Sequence, residues 1–224
     1  MKRLLLLLLV LGLTMGFLNV PKTHAVLLTN GGFETGSLSP WTSTVSGTAQ
    51  VNIRSTITYP IYNPSLNWYT VTPHSGTYMA ELRDVDSGDA SIQQAFNVPT
   101  DGLYTISFWY NLYSYDFPTT EDSSDFFNVY LNGGPTPFLT QSINDPQGLP
   151  VTTTGWQQYT NNFTLAAGLN TLEFYGDLNA ALNPMSNFYV DDVDVAPVPE
   201  PATMLLLGSG LIGLAGFGRK KLFK

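Results

Sequence analysis

Carboxylates dominate the chemistry this chain can offer. Between residues 26 and 197 there are sixteen Asp and Glu side chains against two cations, Arg54 and Arg83, leaving −14 where the whole chain totals −8. Such a surface repels nucleic acid and anionic lipid and gathers divalent cations. No cysteine occurs, so disulfides and thiolate metal sites are excluded. His74 is the only histidine after residue 25, which removes any two-histidine zinc site and leaves a Ser-His-Asp triad one candidate base. His-Glu-x-x-His, Gly-x-Ser-x-Gly and phosphate-loop patterns are absent. Asp84-Val85-Asp86-Ser87-Gly88-Asp89 opens like a calcium loop, but its twelfth position is Ala95 rather than a bidentate glutamate, so a solvated turn is expected there. A paired-carboxylate glycosidase stays compatible with so many acids, since distance in space defines the pair. A small β domain with no other catalytic signal is more often a binding module, and no catalytic residue is expected.

Aromatic side chains are the second resource. Tyr59, Tyr62, Trp68 and Tyr69 crowd one Pro-rich stretch, and their faces suit stacking on the apolar faces of sugar rings. Packing of that stretch against the domain is the competing use. Tyr113, Tyr115 and Phe117 alternate, which puts them on one side of an extended segment. Trp41, Trp109 and Trp156 read as core.

The elements that must position these groups are strands. Helical periodicity is nearly missing from residues 26–197, whereas β-branched and aromatic runs such as Ala90 to Val98, Leu103 to Tyr113, Trp156 to Leu165 and Phe188 to Val195 are separated by turn signals. Asp101-Gly102 and Asn132-Gly133-Gly134 are turn sequences in which glycine tolerates positive φ. An all-β, antiparallel jelly-roll β-sandwich follows. Residues 57–73 and 116–125 are expected as loops.

Both ends carry targeting signals. Lys2 and Arg3, the apolar run Leu4 to Val10 and Thr23-His24-Ala25 make residues 1–25 an N-terminal signal peptide, cut after Ala25 by the Sec export route. At the other end Val198-Pro199-Glu200-Pro201 precedes Ala202 to Phe217, sixteen uncharged residues, then Arg219, Lys220, Lys221 and Lys224. As a helix that span is ~24 Å long, somewhat short of a ~30 Å hydrocarbon core, and its basic flank keeps this end cytoplasmic. Residues 202–217 are therefore expected to form a C-terminal transmembrane helix in the inner membrane.

Residues 198–224 resemble the PEP-CTERM sorting signal of Gram-negative bacteria that make exopolysaccharide. The resemblance implies an exosortase that recognises Pro199-Glu200-Pro201, cuts nearby, and passes the protein to the cell surface or extracellular matrix.

Leu28-Thr29-Asn30-Gly31-Gly32-Phe33-Glu34, Pro40-Trp41, Ser75-Gly76-Thr77-Tyr78, Gly155-Trp156, Ala167-Gly168-Leu169-Asn170 and Phe188-Tyr189-Val190-Asp191-Asp192-Val193 occur in an order similar to that of the galactose-binding-domain-like jelly roll, shared by many carbohydrate-binding modules. The likeness covers most of residues 26–197. It implies that the first and last strands lie together, bringing Glu34 near Asp191 and Asp192. It also implies a structural Ca²⁺ held by the Gly32 carbonyl, the Glu34 side chain, the Thr77 carbonyl and the Asp191 side chain. Many relatives add an acid near Ser75-Gly76, where this chain has His74 or Ser75. The expected function is a non-catalytic, exported protein that binds carbohydrate or exopolysaccharide. A purely structural biofilm-matrix component is the first alternative and a small secreted hydrolase the second.

Overall fold

The structure is a computed structural model that describes residues 27–60, 68–84, 88–114, 125–143, 152–178, 186–199 and 207–213. The signal peptide, Tyr62, Tyr115, Phe117, Glu200 and Pro201 lie outside these residues.

Alternation of apolar and polar side chains produces two sheets. The first runs β1 (Thr42–Val45), β6 (Gly88–Val98), β12 (Gly168–Leu178), β8 (Asp125–Leu131), β9 (Leu139–Ile143), all antiparallel. The second runs β10 (Thr152–Thr153), β7 (Gly102–Ser114), β13 (Ser186–Pro197), β5 (Met79–Arg83), β2 (Gln50–Arg54), with β11 (Gln157–Leu165) also paired along β7. In β12, Asn170, Leu172, Phe174 and Leu178 point inward while Glu173, Tyr175 and Asp177 point outward. In β7, Ile106, Phe108 and Leu112 do the same against the facing sheet. This period of two lets each sheet bury one face. The all-β sandwich expected from the pattern is the one that forms.

Aromatic rings fill the space between the sheets. Phe174 lies 4.9 Å from Phe108, 5.9 Å from Trp41 and 6.1 Å from Phe127 by ring centroid, and Phe127 continues to Phe188 at 5.7 Å. Edge-to-face and offset contacts of this kind add to the area they bury.

Several expectations need correction. Residues 57–73 are not simply loop: β3 (Ile57–Pro60) and β4 (Trp68–Val71) pair as a hairpin. Their prolines sit at a strand end or just beyond it, where no ladder N–H is required, and Ile57, Tyr69 and Val71 join Met79, Tyr113, Tyr189 and Trp156 in a second small core on the outer face of the six-stranded sheet. Asp84 is not solvated but buried, accepting a hydrogen bond from Thr48 Oγ1 at 2.9 Å, and Asp125 opens β8 rather than closing a loop. Trp109 faces outward from β7 and is half-buried, outside the inter-sheet core. The Asn132-Gly133 turn has positive φ at both residues (57° and 61°), whereas Gly102 opens β7 without it.

Of the span 202–217, residues 207–213 are described and helical. Among the described residues no helix is long and apolar enough to cross a membrane.

Replacing Phe174 by Ala should cost about 3–5 kcal/mol because three rings lose their partner, whereas the exposed Phe126→Ala should cost under about 0.5. Urea midpoints of the two variants check this.

Candidate functional site: a carboxylate corner

The segment before β1 has no ladder of its own. It is tied to the sandwich by buried Gln94, which accepts from Thr29 N–H and donates to Thr29 O, both at 2.9 Å. Asn30 closes the following turn by donating to the carbonyls of Ser37 and Ser39, and Trp41 donates its indole N–H to Asn30 O. Phe33, fully buried with φ 56°, plugs into the core 5.7 Å from Trp41, fixing Gly32 and Glu34 on either side of it.

The last strand arrives at the same place through a bulge. Asp191 pairs with Trp109 and Asp194 with Ser107, so Asp192 and Val193 together face one residue of β7. Asp192 takes φ 50°, and Val193 donates its N–H to Gly31 O at 3.0 Å. A Cβ on Gly31 would meet Val193 O at 2.0 Å, so only glycine lets the two segments approach.

Between β4 and β5, residues 74–78 form the turn that both carboxylates grip. Glu34 accepts the Thr77 N–H at 2.9 Å on either oxygen and the Tyr78 N–H at 3.0 Å. Gly76 has φ 62°, and a Cβ there would lie 2.4 Å from the Glu34 carboxyl carbon. Asp191 Oδ2 accepts the N–H groups of His74 (2.9 Å) and Ser75 (3.2 Å), and its Oδ1 accepts the Asp192 N–H at 2.8 Å. Asp192 in turn takes the Ser75 hydroxyl at 2.7 Å and faces His74 Nδ1 at 2.6 Å. A Cβ on Gly32 would stand 3.4 Å from Asp192 Oδ1, 3.7 Å from Glu34 Cγ and 3.8 Å from Asp191 Oδ1. The expected meeting of Glu34 with Asp191 and Asp192 therefore occurs, with bare backbone at its centre. Thr77 is drawn in through its N–H.

Asp191 is wholly buried. Burial pushes its carboxyl up to about 7, and the charge of Asp192 adds to this, while the N–H groups of Ser75, Asp192 and His74 pull the other way. His74 stacks on Trp109 with centroids 3.8 Å apart and planes at 14°, and meets Trp156 edge-on at 5.8 Å. Its Nδ1 and the Ser75 hydroxyl each bond to Asp192 rather than to one another, so the nucleophile–base contact of a triad is not formed. Among the described residues, no group of three or more His, Asp or Glu side chains is disposed to hold a metal ion.

Of the aromatic candidates, Tyr69 stacks on Tyr113 (5.0 Å, 16°) and its hydroxyl bonds to Thr153 Oγ1 at 2.8 Å. It packs the hairpin onto the sheet. Tyr59 and Trp68 stand in the β3–β4 ladder opposite Tyr69 and Pro60. What the sequence patterns missed is the polar face under that hairpin. Glu81, fully buried on β5, receives Arg54 Nε at 2.9 Å and Asn52 Nδ2 at 3.1 Å, with the Tyr189 hydroxyl at 3.4 Å. The signal was a charged residue inside the apolar run Tyr78 to Leu82, in a domain with two cations.

Ala25 lies outside the described residues. Val198 does not: its N–H donates to Leu103 O at 2.9 Å directly after β13, and Pro199 is exposed.

These features define an antiparallel β-sandwich joined to a sorting tail. The PEP-CTERM protein-sorting motif matches residues 197–220, which marks the chain for export and surface sorting in Gram-negative bacteria. No curated protein matches the chain. Among solved structures the chain is similar to TmCBM61 in complex with β-1,4-galactotriose (21% identity, 77% of this chain and 99% of that one, TM-score 0.45). It is also similar to the CBM22-1 xylan-binding domain from Paenibacillus barcinonensis (13%, 81% and 99%, TM-score 0.38) and to the cleaved adhesin domain of Lys-gingipain from Porphyromonas gingivalis (14%, 75% and 96%, TM-score 0.43). At these scores what those proteins bind carries no weight for this one.

In metal-free buffer the sign for Asp191 is set by its raised value. The unfolded chain releases this proton near pH 4 and the folded one near pH 7, so this group's contribution to stability is complete below about 4 and lost as pH rises through about 7. Urea midpoints across that window should decline more steeply for the native chain than for Asp191→Asn; parallel profiles would remove Asp191 as the cause.

Proposed function

We propose that the chain is an exosortase-sorted, non-catalytic surface protein whose sandwich is stabilised by calcium and binds carbohydrate, exopolysaccharide of the producing cell being the natural ligand. The observation that carries the first part is the continuity of fold and tail: β13 ends at Pro197, where the sorting-motif match begins, and Val198 within that match is still hydrogen-bonded to the sandwich.

Calcium is supported by the chemistry of the corner. The Glu34 Cγ and Asp191 Oδ1 both lie within 4 Å of where a Cβ on Gly32 would stand, so two carboxylates border one bare stretch of backbone, and neither has a cationic partner among its hydrogen bonds. A site of this kind needs two carboxylates plus backbone carbonyls, so it does not require three acidic side chains. Glu34, Asp191 and the carbonyls of Gly32 and Thr77 would hold the ion. Its charge would bring the Asp191 carboxyl back toward its ordinary range. The ion would act structurally, tying the opening segment, the 74–78 turn and the last strand.

Carbohydrate binding is supported by the outer face of the six-stranded sheet. One row across it holds Gln50, Arg83, Asn187, Tyr113 and Thr153. Arg83 Nε and Asn187 Oδ1 are buried with no hydrogen-bond partner, one a donor and one an acceptor. A sugar hydroxyl can serve both, because it accepts and donates at once. Of the aromatic candidates, Tyr69 already stacks on Tyr113 of this face, and Tyr59, Tyr62 and Trp68, which neighbour it in sequence, would supply the stacking surfaces.

Chelation with EDTA should lower the melting temperature of the native protein and leave Glu34→Gln little changed, since an ion present at a hundred times its Kd stabilises the fold by about 2.7 kcal/mol. Identical melts with and without EDTA would sink the calcium site. A glycan array probed with residues 26–197 tests the sugar site: Arg83→Ala and the Tyr62→Ala, Trp68→Ala double variant should each lose about tenfold or more in affinity, two lost polar or stacking contacts being worth at least ~1.4 kcal/mol. Signal retained by both variants would move the site elsewhere, and no signal on any neutral or acidic glycan would favour the structural matrix role.

A further inference from the structure

The end of the sandwich from which the chain leaves differs from the rest of its surface. It is built from the turn between β6 and β7 (residues 99–101), the turn between β11 and β12 (residues 166–167) and the outgoing residues 197–199. Asp101 joins the two turns by accepting the Ala167 N–H at 2.6 Å, and Asn132 joins the β8–β9 turn to them by accepting from Thr171 N and donating to Asn170 Oδ1. Segments 95–104, 131–138, 163–171 and 195–199 hold a single charged side chain, Asp101, in a domain of net −14. Two of the domain's most exposed large apolar side chains stand here, Leu103 at 46% and Leu169 at 76%.

Chain length decides what faces this end. Val198 is fixed to Leu103 O, and the apolar span begins at Ala202. Four residue steps cover at most about 14 Å when fully extended, and the headgroup layer alone is about 5–8 Å thick on each side. Resting on the assignment of 202–217 to the membrane, we propose that in the anchored precursor this neutral end, with Leu103 and Leu169 foremost, seats against the phospholipid surface. The acidic remainder of the domain is then held away from anionic headgroups, which it would otherwise repel. A spacer of a few dozen residues would have made such contact optional; here the fold comes within one short peptide of the lipid. Pro199-Glu200-Pro201 falls in that gap, and Pro199 lines a groove with Thr100, Leu103 and Tyr104.

The chain has no cysteine, so single thiols can be placed at will. Leu169→Cys, Leu103→Cys and, as a control, Val45→Cys are each labelled with an environment-sensitive fluorophore on the full chain, made in a host lacking the sorting enzyme. Val45 pairs with Ala90, about 26 Å along β6 from Val98 at ~3.3 Å per residue. The labelled proteins are reconstituted into phosphatidylethanolamine–phosphatidylglycerol vesicles containing a phosphatidylcholine brominated near the glycerol. Roughly twofold quenching at 169 and 103 and none at 45 is expected, because an interfacial apolar face lies about 5–10 Å into the headgroup boundary. Vesicle-bound protein with all three labels unquenched, or all three quenched alike, overturns the seat while leaving the anchor intact. Quenching that needs added sorting enzyme assigns the surface to a protein partner instead. Protein that floats free of the vesicles overturns the anchor and the seat together.

Discussion

Two carboxylates from opposite ends of the chain closing on one turn is the constraint on which this sandwich depends. Glu34 belongs to a segment with no strand pairing of its own, and Asp191 to the central strand of the six-stranded sheet; both spend their oxygens on N–H groups of residues 74–78. Hydrogen bonds to a charged acceptor are worth about 1.5–3 kcal/mol each, so the turn, the opening segment and the last strand stand or fall together. With no disulfide to close the ends, this is, among the described residues, the polar tie that reaches across all three. It carries a cost: Asp191 is buried, its neighbour is another acid, and the corner's one nitrogen base, His74, faces Asp192 rather than Asp191. The result is an excess of negative charge in the place where the fold has least freedom to relax.

The three glycines of the corner show how backbone and charge were fitted to one another. Gly31 admits the Val193 carbonyl, Gly76 admits the Glu34 carboxylate, and Gly32 leaves open the space that all three acids border. A side chain at the first two would collide with backbone or carboxylate at 2.0–2.4 Å. The bulge at Asp192 and Val193 has the same effect from the other side, turning one strand residue out toward His74 and the next toward Gly31. His74 in turn is held flat on Trp109, so the tie is extended by ring stacking onto β7.

Much of this was legible in the sequence, for identifiable reasons. Strands such as β6 and β12 alternate strictly and are bounded by turn residues, so their existence follows from period alone. The convergence of Glu34 with Asp191 and Asp192 followed from family order, because in such a sandwich the first segment and the last strand are neighbours. Other features were hidden by what a linear pattern cannot express. The hairpin β3–β4 was masked by Pro60, which ends β3, and Pro73, which lies just past β4; neither interrupts the ladder. Trp109 sits mid-strand in an apolar run, but its parity relative to Phe108 and Tyr110 places it on the outer face, where a histidine from another loop covers it. Asp84 looked solvated in its acidic run, but it is buried and accepts the hydroxyl of Thr48 from a turn distant in sequence.

Where the acids lie and where they do not is tied to the chain's own connectivity. β6, β7 and β12 cross the sandwich end to end, and their Val98, Gly102 and Gly168 termini share the end from which the last strand leaves. Turns at this end are capped with one charge only: Asp101 accepts the Ala167 N–H, and Asn132 and Asn170 satisfy backbone groups with amides. The opposite ends of those strands meet Asp84, Asp89, Asp125 and Asp177. Since β13 stays paired with β7 from Asp194 through Pro197, and Val198 is held as well, a folded sandwich leaves no slack before the sorting motif, whereas an unfolded chain would leave many residues of it. The distance between motif and domain is therefore a property of the folded state: it is short only when β13 is zipped along β7, and β13 is locked there by the same Asp191 that the 74–78 turn grips.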